Sequence, residues 1–418
     1  MQTGTGPQIQ SRPTLPSFDS KIIMAKESGS PTVPIEEPPK SWAVAIAETL
    51  RVLYENLALL LTGYQHQFNP PPPTFSEEHV GTLTGKVFVV TGGSSGIGKE
   101  LASALYSLGG KVYVLARNQE KTEGVFGEIR SAHPTPQAGA ELKFVAIELS
   151  DLRSVRAAAD AFTAAEQRLD VLFLNAGVAH HAGQTRTAQG LEWHVGVNTV
   201  AAFALQEALE PVLARTAAAA KAAGAVRVVW AASVLVDWFA PVNGVRLDML
   251  ARPERYPKVA TNYALSKTAN WFLAAASARR RGGRNGVVYV AGNPGSYRTD
   301  VWRSAPGYVK DTFWWLLREQ QRSHVTYLWM GFSDEVTMQD AVAGRYAICD
   351  GRWHPNPRPS VVQGMKPVEE GGTGYADVFY DQCVGAVKEH VRISPLREKT
   401  ETLRGLRQRK QAEQAACD

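Results

Sequence analysis

The sequence predicts an α/β fold in which a doubly wound parallel sheet is preceded by a helical extension and followed by a helical cap rich in aromatic residues. Three observations support this fold class. Apolar, β-branched runs alternate with helical patterns over residues 85–303. The first run, residues 87–90, leads through a glycine-rich turn into a helical pattern, and the second run, Lys111–Ala116, follows that helix. Strands of a parallel sheet are covered by helices on both faces, so they read as nearly continuous apolar runs.

Further strands are predicted in the same alternating order, and they cover residues 142–147, 170–174, 226–231 and 286–291. A long alanine-rich helix over residues 190–223 should kink or break at Pro211, because proline removes a backbone donor and clashes with the preceding turn. Open sheets of this kind bind ligands beyond the carboxyl ends of their strands. We therefore look for the site at those ends.

Composition excludes several classes of function. The 418 residues include 45 basic and 40 acidic side chains, and a net charge of +5 is too dilute for nucleic-acid binding, which needs clustered Lys and Arg. The cysteines, Cys349, Cys383 and Cys417, have no metal-ligand spacing and do not form an even set. We therefore expect no nucleic-acid partner, no metal site and a reducing compartment, the cytoplasm.

Residues 41–61 are predicted to form an amphipathic helix before a proline-rich linker. Its apolar side chains share one face: Ile46, Leu50, Leu53, Leu57 and Leu60. We expect this helix to dock on the sheet domain or on a second subunit, as in a homodimer. The alternative is a peripheral helix lying on a membrane surface, because no stretch is long and apolar enough to span one.

The turn after the first strand, TGGSSGIG at residues 91–98, has the glycines that a phosphate cradle needs. Gly92 permits a tight turn, Gly96 allows close backbone approach to a pyrophosphate, and Gly98 lets the helix pack on the strand. The N–H groups at the start of the helix and the positive end of its dipole favour phosphate there. The predicted cradle consists of Gly92, Ser94, Ser95, Gly96, Ile97 and Gly98.

A second motif is predicted to lie at the same crevice. Tyr263 and Lys267 are four residues apart on a predicted helix, so their side chains share a face. A phenol has a pKa near 10, and a neighbouring ammonium favours the phenolate, which makes proton exchange practical. Ser233 follows the predicted strand at 226–231, whose end would present it to the same space.

The order of these motifs, TGGSSGIG, Asn175-Ala176-Gly177, Ser233, Tyr263-x3-Lys267 and Pro294-Gly295, resembles that of the short-chain dehydrogenase/reductase family over about residues 84–303. The resemblance implies a Rossmann-like fold and the catalytic set Asn198, Ser233, Tyr263 and Lys267. Tyr263 would exchange a proton with a carbonyl or alcohol, and Ser233 would hold the substrate oxygen. Lys267 would lower the Tyr263 pKa and bind the nicotinamide ribose. Asn198 would hold a water that links Lys267 to solvent.

The same resemblance implies where a nicotinamide cofactor would lie. The adenine and ribose region would be lined by Asn175, Ala176 and Gly177. The adenine-contacting position would fall at Glu148 and Leu149, or at Asp151 if the register slips. The nicotinamide pocket would be shaped by Pro294, Gly295, Tyr297 and Thr299, and Tyr263 and Lys267 would lie at its ribose.

The residue that follows the second strand is predicted to select the cofactor. An acidic side chain there would bind the ribose hydroxyls of NAD and repel a phosphate. This chain has Arg117 at that position, and a planar guanidinium suits a 2′-phosphate. We therefore expect NADP(H), the alternative being a solvated arginine.

Within the family, the SSGIG motif, Arg117 and the long segment between Ser233 and Tyr263 resemble the retinol-dehydrogenase and WW-domain-oxidoreductase branch. The segment at residues 50–75 is similar to filamentous-fungal members, a group that includes a blue-light-induced mitochondrial oxidoreductase. This likeness is the argument for a mitochondrial alternative to the cytoplasm.

These inferences divide the chain into predicted segments: a disordered segment (1–40), a helix with a linker (41–84), a dinucleotide-binding catalytic domain (85–303), a substrate cap and wrap (304–390) and a charged tail (391–418). Aromatic side chains are frequent after Thr299, as expected of an apolar substrate pocket or of helix packing. We expect an NADP(H)-dependent oxidoreductase that interconverts a carbonyl and an alcohol on a lipophilic small molecule. The alternative is a catalytically idle dinucleotide-binding sensor or scaffold.

Overall fold

The computed structural model describes residues 67, 70–179, 183, 185–256, 258–299 and 317–391. All of them fall within one compact unit, Tyr54–Asp418. Several predictions lie outside the described residues: the segment 1–40, the helix at 41–61, the aromatic residues at 302–315 and the tail beyond residue 391. Among the described residues, no helix combines the length and the hydropathy needed to cross a membrane.

The sheet confirms the predicted doubly wound α/β class. Its strands are β1 (Val87–Thr91), β2 (Lys111–Ala116), β3 (Glu141–Ala146), β4 (Val171–Leu174), β5 (Val226–Ala231), β6 (Val287–Gly292), β7 (Tyr346–Ile348) and β8 (Arg352–Trp353). In the described part of the chain they form one eight-stranded sheet in the order β3-β2-β1-β4-β5-β6-β7-β8. Neighbours pair in parallel except β7 and β8, which are antiparallel.

Helices cover both faces of this sheet. The α-helices are α1 (Glu77–Val80), α2 (Gly96–Ser107), α3 (Gln119–Ala132), α4 (Leu152–Ala165), α5 (Trp193–Val195), α6 (Ala201–Ala219), α7 (Leu235–Phe239), α8 (Val259–Ser277), α9 (Gly283–Asn285), α10 (Val325–Phe332), α11 (Met338–Val342), α12 (Pro359–Met365) and α13 (Tyr375–Val387). Two π-helical turns, Gly196–Val200 and Ala278–Gly282, precede α6 and follow α8. Every residue of β1, β4, β5 and β6 is buried, as expected of strands covered on both faces.

The predicted break at Pro211 is wrong. Helix α6 runs through Pro211 without interruption, and Val212 and Leu213 directly after it are buried. A kink at Pro211, the other predicted outcome, stays a prediction. Tertiary packing of a buried helix contributes more than local propensity, so the lost backbone bond is tolerated. The irregular turn lies earlier, at Gly196–Val200, where the backbone bond from Ala201 N–H reaches back to the Gly196 carbonyl.

Helix α8 carries Tyr263 and Lys267, and contacts on two sides hold it against the sheet. The Asn270 side chain donates to the Ala231 carbonyl at the end of β5, at 2.9 Å. The Trp271 indole N–H donates to the Gly344 carbonyl at 2.9 Å. Beyond the helix end, Arg280 pairs with Asp381 of α13 at 2.5 Å. The helix is therefore fixed relative to the strand ends.

The strand order reverses between β1 and β4, which are neighbours in the sheet although β2 and β3 come between them in sequence. Connections from these two strands leave toward opposite sides and open a crevice at their carboxyl ends. The glycine-rich turn follows β1, and Asn175-Ala176-Gly177 follows β4. The fold thus brings both predicted cofactor motifs to one place.

Candidate active site

The glycine-rich turn leaves β1 in a backbone conformation that requires glycine. The Gly92 N–H donates to the Leu115 carbonyl of β2 at 2.8 Å, and Gly92 has a φ of +70°. A Cβ on Gly98 would lie 2.5 Å from the Gly92 carbonyl oxygen and 2.6 Å from Asn175 Nδ2. Real side chains do not approach that closely, so only glycine allows the turn to fold back on the start of α2.

The backbone N–H groups in the first turn of α2 lie at the crevice. Ser95 is the N-cap residue, in an extended conformation, and the first turn contains no acidic residue. Ser94, Ser95 and Ile97 are partly exposed there. The N–H groups of a first helical turn have no partner within the helix, and they suit an anion. Lys99 does not add charge to this cradle, because it pairs with Glu128 of α3.

Asn175 joins the two strands at the switch point. Its Nδ2 donates to the Thr91 carbonyl at 2.9 Å, and its Oδ1 accepts from the Tyr327 hydroxyl at 3.0 Å. The neighbouring Ala176 N–H donates to Thr91 Oγ1 at 3.0 Å. A Cβ on Gly177 would lie 3.0 Å from Lys267 Nζ. The three-residue motif therefore touches the cradle at one end and the predicted catalytic set at the other.

Ser233, Tyr263 and Lys267 meet beyond the end of β5. The Ser233 side chain hydrogen-bonds the Tyr263 hydroxyl, which is an interaction that favours the phenolate. Lys267 Nζ donates to the Ala231 carbonyl at 3.2 Å and lies 5.8 Å from the centre of the Tyr263 ring. Tyr263 is half-buried, with part of its surface open to the crevice. This is the arrangement that the sequence predicted.

The protonation states differ from the expected ones. Burial raises the pKa of Tyr263 to about 12, although the hydrogen bond from Ser233 offsets part of that rise. Burial lowers the pKa of Lys267 to about 8. The expected net lowering of the Tyr263 pKa by Lys267 is not found, since desolvation outweighs the other influences on the phenol. At neutral pH Tyr263 is thus a neutral phenol that can donate a proton.

Asn198 lies in the π-helical turn, and its amide holds the backbone next to Gly177. Its Oδ1 accepts from the Val178 N–H at 2.7 Å, and its Nδ2 donates to the Val178 carbonyl and to Ser266 Oγ, each at 3.0 Å. Both amide hydrogens are therefore used. An amide oxygen can accept two hydrogen bonds, so a water at Asn198, as the family resemblance implies, would donate to the second lone pair of Oδ1. This oxygen atom lies 3.3 Å from the position that a Cβ on Gly177 would take.

Arg117 lies beside the cradle at the end of β2. Its side chain is 65% exposed, and its Nη1 is 3.8 Å from a carboxylate oxygen of Glu148. The Ile147 N–H donates to the Ala116 carbonyl at 3.0 Å, which places the ends of β2 and β3 next to each other. An ion pair this long and this exposed contributes little to the free energy of folding. The Arg117 guanidinium can therefore rotate away from Glu148 and bind an anion. Leu149, which follows Glu148, packs against the core.

Asp151, the alternative adenine-contacting residue, has another role. Its carboxylate accepts from the Arg153 N–H at 3.0 Å and caps helix α4. The Arg153 guanidinium and the Gln189 amide also donate to it, and they hold its pKa well below the usual range. Contact of Glu148 and Leu149, or of Asp151, with adenine stays a prediction.

The loop after β6 closes the other end of the crevice. A Cβ on Gly96 would lie 3.2 Å from the Thr299 Cβ, so Thr299 contacts the cradle. The Pro294 carbonyl accepts from Thr326 Oγ1 at 3.3 Å. Gly295 has a φ of +112°, and a Cβ there would lie 2.7 Å from the Tyr297 ring. Tyr297 is 2% exposed, so it supports this loop from inside the protein instead of lining the crevice.

Gln67 is a part of this site that the sequence did not reveal. It precedes the proline-rich segment, yet it is 2% exposed. Its Nε2 donates to Ser296 Oγ at 2.6 Å, and its Oε1 accepts from Asn293 Nδ2 at 2.6 Å. The residue thus braces the loop that contacts the cradle through Thr299. No local pattern around a single glutamine could have indicated this.

The sequence predicts that the histidines after Asn175-Ala176-Gly177, including His194, are mostly solvated, with contact to substrate as the alternative. For His194 the first expectation is wrong. It is completely buried, its Nδ1 is 2.9 Å from Glu192 Oε1, and its ring meets the Tyr263 ring edge-on at 6.3 Å. Asn262, next to Tyr263, donates to the same carboxylate at 3.1 Å. A buried hydrogen-bonded group of Glu192, His194 and Asn262 therefore supports the start of α8. His180 and His181 lie outside the described residues.

Comparisons with known proteins agree with this geometry. A family model described as short chain dehydrogenase matches residues 86–234. The chain is 37% identical over 336 residues to the short-chain dehydrogenase/reductase iacJ of Pestalotiopsis fici, covering 78% of this chain and 97% of that one. It is 36% identical over 335 residues to a short-chain dehydrogenase/reductase of Phomopsis amygdali, covering 78% and 96%. A solved structure of an uncharacterised Mycobacterium paratuberculosis protein has the same fold, with a TM-score of 0.52, 21% identity and coverage of 75% and 97%.

A doubly wound sheet with a glycine cradle at its switch point and a serine, a tyrosine and a lysine beside it defines a nicotinamide-dependent class of oxidoreductase. With relatives this similar over most of its length, the chain belongs to the short-chain dehydrogenase/reductase family.

Proposed function

We propose that this protein is an NADP(H)-dependent oxidoreductase that interconverts a carbonyl and an alcohol on a lipophilic small molecule. One observation carries the proposal: Ser233, Tyr263 and Lys267 meet beside the strand ends that also carry the phosphate cradle. A dinucleotide-binding protein with no catalytic role would have no need of all three side chains together. A buried ammonium is unfavourable without a partner or a function.

The cradle supports the choice of a dinucleotide. Gly98 admits no side chain, and the first turn of α2 presents backbone donors and contains no acidic residue. Arg117 supports the phosphorylated form, because its exposed guanidinium lies beside the cradle and has only a long contact with Glu148. A guanidinium binds a phosphate monoester with two parallel hydrogen bonds.

Ser233, Tyr263 and Lys267 would have different roles in the reaction. The cofactor supplies or accepts the hydride. In reduction, Ser233 Oγ and the Tyr263 hydroxyl would hold the substrate carbonyl oxygen, and the hydroxyl would donate its proton to that oxygen as the hydride reaches the carbon. The phenolate that remains would be stabilised by Lys267, whose Nζ lies 5.8 Å from the ring centre. Oxidation of an alcohol follows the same path in reverse.

The surroundings of Ser233 support a lipophilic substrate. Helix α7 follows Ser233 directly, and Phe239 at its end is 55% exposed. Val242, three residues further on, is 48% exposed. Exposed apolar side chains at the edge of a site favour an apolar ligand, since pockets for small molecules are mostly apolar. The aromatic residues at 302–315 would extend this surface, but they lie outside the described residues.

The finer assignment within the family is also a proposal. The SSGIG motif, Arg117 and the long segment between Ser233 and Tyr263 support a place in the retinol-dehydrogenase-like branch. A fungal origin is supported by the relatives from Pestalotiopsis fici and Phomopsis amygdali. We propose the cytoplasm as the compartment on the low cysteine count, with mitochondria or a membrane surface as the alternatives that residues 1–63 would decide.

The test is Tyr263→Phe, which removes the proton donor and keeps the ring. NADPH oxidation is followed with a panel of aliphatic and aromatic aldehydes and ketones, and NADPH binding is followed by fluorescence. We expect a loss of turnover by at least about a hundredfold with unchanged NADPH affinity. Tyr375→Phe in α13 is the matched control and should retain full activity. NADPH binding without turnover of any carbonyl by the wild-type protein would favour the idle sensor instead.

A further inference from the structure

Tyr346, in β7, holds the backbone of Ser233 with a single hydroxyl group. This hydroxyl donates to the Ser233 carbonyl oxygen at 2.9 Å and accepts from the Ser233 N–H at 3.2 Å. Tyr346 is 1% exposed and does not line the crevice. It is 113 residues from Ser233 in sequence, so no local motif links the two.

Ser233 needs such a partner because it lies just beyond the sheet. The last ladder bond on this side runs from the Ala232 N–H to the Gly292 carbonyl. Strand β5 has already ended at Ala231, so the N–H and carbonyl of Ser233 lie outside the strand ladder. Backbone polar groups in a buried environment require hydrogen-bond partners. The Tyr346 hydroxyl accepts from the Ser233 N–H and donates to the Ser233 carbonyl, which also accepts from the Val236 N–H at 3.1 Å. Together these bonds fix the turn that carries the Ser233 side chain.

The tyrosine itself is held from several sides. Its backbone is paired with Ala291 of β6, and its ring lies 4.7 Å from the ring of Trp271, one helical turn beyond Lys267. On its other side, the His354 ring is 6.1 Å away, and His354 Nε2 is 3.0 Å from Asp237 of α7, the helix that follows Ser233. Tyr346 therefore connects the turn with Ser233 to the helix with Tyr263 and Lys267.

We propose that Tyr346 is a positioning residue for the carbonyl–alcohol reaction. By fixing the Ser233 backbone, its hydroxyl sets the direction of Ser233 Oγ, which hydrogen-bonds Tyr263 and would hold the substrate oxygen. This inference rests on the proposed function. Tyr346 does not touch the substrate, and it acts through Ser233. A misplacement of a reacting group by about 1 Å lowers a rate by about a hundredfold, so the loss of this hydroxyl is expected to be visible in turnover.

The first experiment is Tyr346→Phe, which keeps the ring and its contact with Trp271. We expect kcat to fall by about tenfold to a hundredfold, with NADPH affinity close to that of the wild-type protein. The melting temperature should fall modestly, because the Ser233 N–H loses its hydrogen-bond acceptor. The matched control is Tyr289→Phe. Tyr289 is equally buried and donates to Glu210 at 2.7 Å, but it is outside the site. This control should lower the melting temperature and keep kcat. A Tyr346→Phe variant that keeps the kcat of the wild-type protein, or that loses NADPH affinity in proportion to its activity, would overturn the proposal.

The second experiment asks whether Tyr346 acts through Ser233. Tyr346→Phe is measured in the wild-type protein and in a Ser233→Ala background. If the hydroxyl only orients Ser233, its removal should lower kcat in the wild-type protein. In the Ser233→Ala background, its removal should change kcat by less than about twofold. Equal effects in both backgrounds would overturn this route. The Tyr263→Phe variant separates the two proposals. If this variant retains turnover, the proposed function fails. If it is inactive while Tyr346→Phe is fully active, only the positioning role of Tyr346 fails.

Discussion

The Asn175 side chain donates a hydrogen bond to the Thr91 carbonyl oxygen at 2.9 Å, across the point where the strand order reverses. Thr91 is the last residue of β1, and Asn175 directly follows β4. The same amide nitrogen lies 2.6 Å from the place where a Cβ on Gly98 would be. The cradle and the motif after β4 are therefore one packed unit, and a change in either is expected to reach the other.

The first prediction concerns Gly98→Ala. The added methyl group would collide with the Gly92 carbonyl oxygen and with Asn175 Nδ2. We expect a loss of about 1–3 kcal/mol in the free energy of unfolding, because backbone must move to make room, together with weaker NADPH binding. Gly127→Ala in α3 is the control: no atom lies within 4 Å of its Cβ position, and alanine favours a helix. Urea unfolding of the two variants should give changes of opposite sign. Equal changes would contradict the packed cradle.

The second prediction concerns Arg117→Glu. Its carboxylate would repel a 2′-phosphate and would also face Glu148, whose carboxylate is 3.8 Å from the guanidinium. A hydrogen bond to a charged group contributes about 1.5–3 kcal/mol, so NADPH affinity should fall by about tenfold or more while NADH affinity changes little. Arg156→Glu, on the exposed face of α4, controls for charge alone. Fluorescence titrations with each cofactor give the ratio of the NADPH affinity to the NADH affinity. If both affinities fall by the same factor, Arg117 does not select the cofactor.

Local sequence patterns were sufficient for the sheet and for the motifs that follow its strands. Buried β-branched runs predicted β1, β2, β4, β5 and β6 to within one or two residues, because a strand covered on both faces has few polar positions. The glycines of the cradle and the spacing of Tyr263 and Lys267 are also local. Parallel strands carry whatever follows them to the same edge, so the meeting of these motifs could be predicted as well.

Contacts between distant segments could not be predicted in this way. Asn293 and Gln67 are 226 residues apart, and neither lies in a recognisable pattern. His194 was expected to be solvated because it is polar, but a carboxylate from Glu192 compensates for its burial. Pro211 does not end its helix, because burial of the neighbouring side chains outweighs the unfavourable helix propensity of proline. Each miss is a tertiary interaction that overrides what a short window of sequence favours.

The third prediction concerns Gln67→Ala. The loss of its side chain would remove the hydrogen bonds to Asn293 and Ser296 and leave the Asn293 amide buried without this partner. A buried polar group left unsatisfied costs about 1–3 kcal/mol, and the loop with Thr299 should bind the cofactor less well. We expect a lower melting temperature and a severalfold weaker NADPH affinity. Gln339→Ala, at an exposed position of α11, should change neither quantity. Unchanged NADPH affinity for Gln67→Ala would limit the role of Gln67 to stability.

The last prediction concerns the pH dependence of stability in the absence of cofactor. Burial lowers the pKa of Lys267 to about 8, and an exposed lysine in the unfolded chain has a pKa near 10.5. Between these values the unfolded state binds more protons than the folded state, so the wild-type protein gains stability as the pH rises from about 8 to about 10.5. Below pH 8 the charge is buried in full, at a cost of about 3 kcal/mol.

Lys267→Met removes that buried charge and fills the same space. At pH 7 this variant should unfold at higher urea concentration than the wild-type protein, while losing turnover and NADPH affinity, since function here requires a group that destabilises the fold. The difference in stability should shrink steadily above pH 8, because the wild-type lysine then loses its proton in the folded state. Lys388→Met, at an exposed position, is the control and should show no such trend. If the gap between Lys267→Met and the wild-type protein stays constant from pH 7 to about pH 10, Lys267 does not carry a depressed pKa in the folded protein, and its burial is not the cause of the difference.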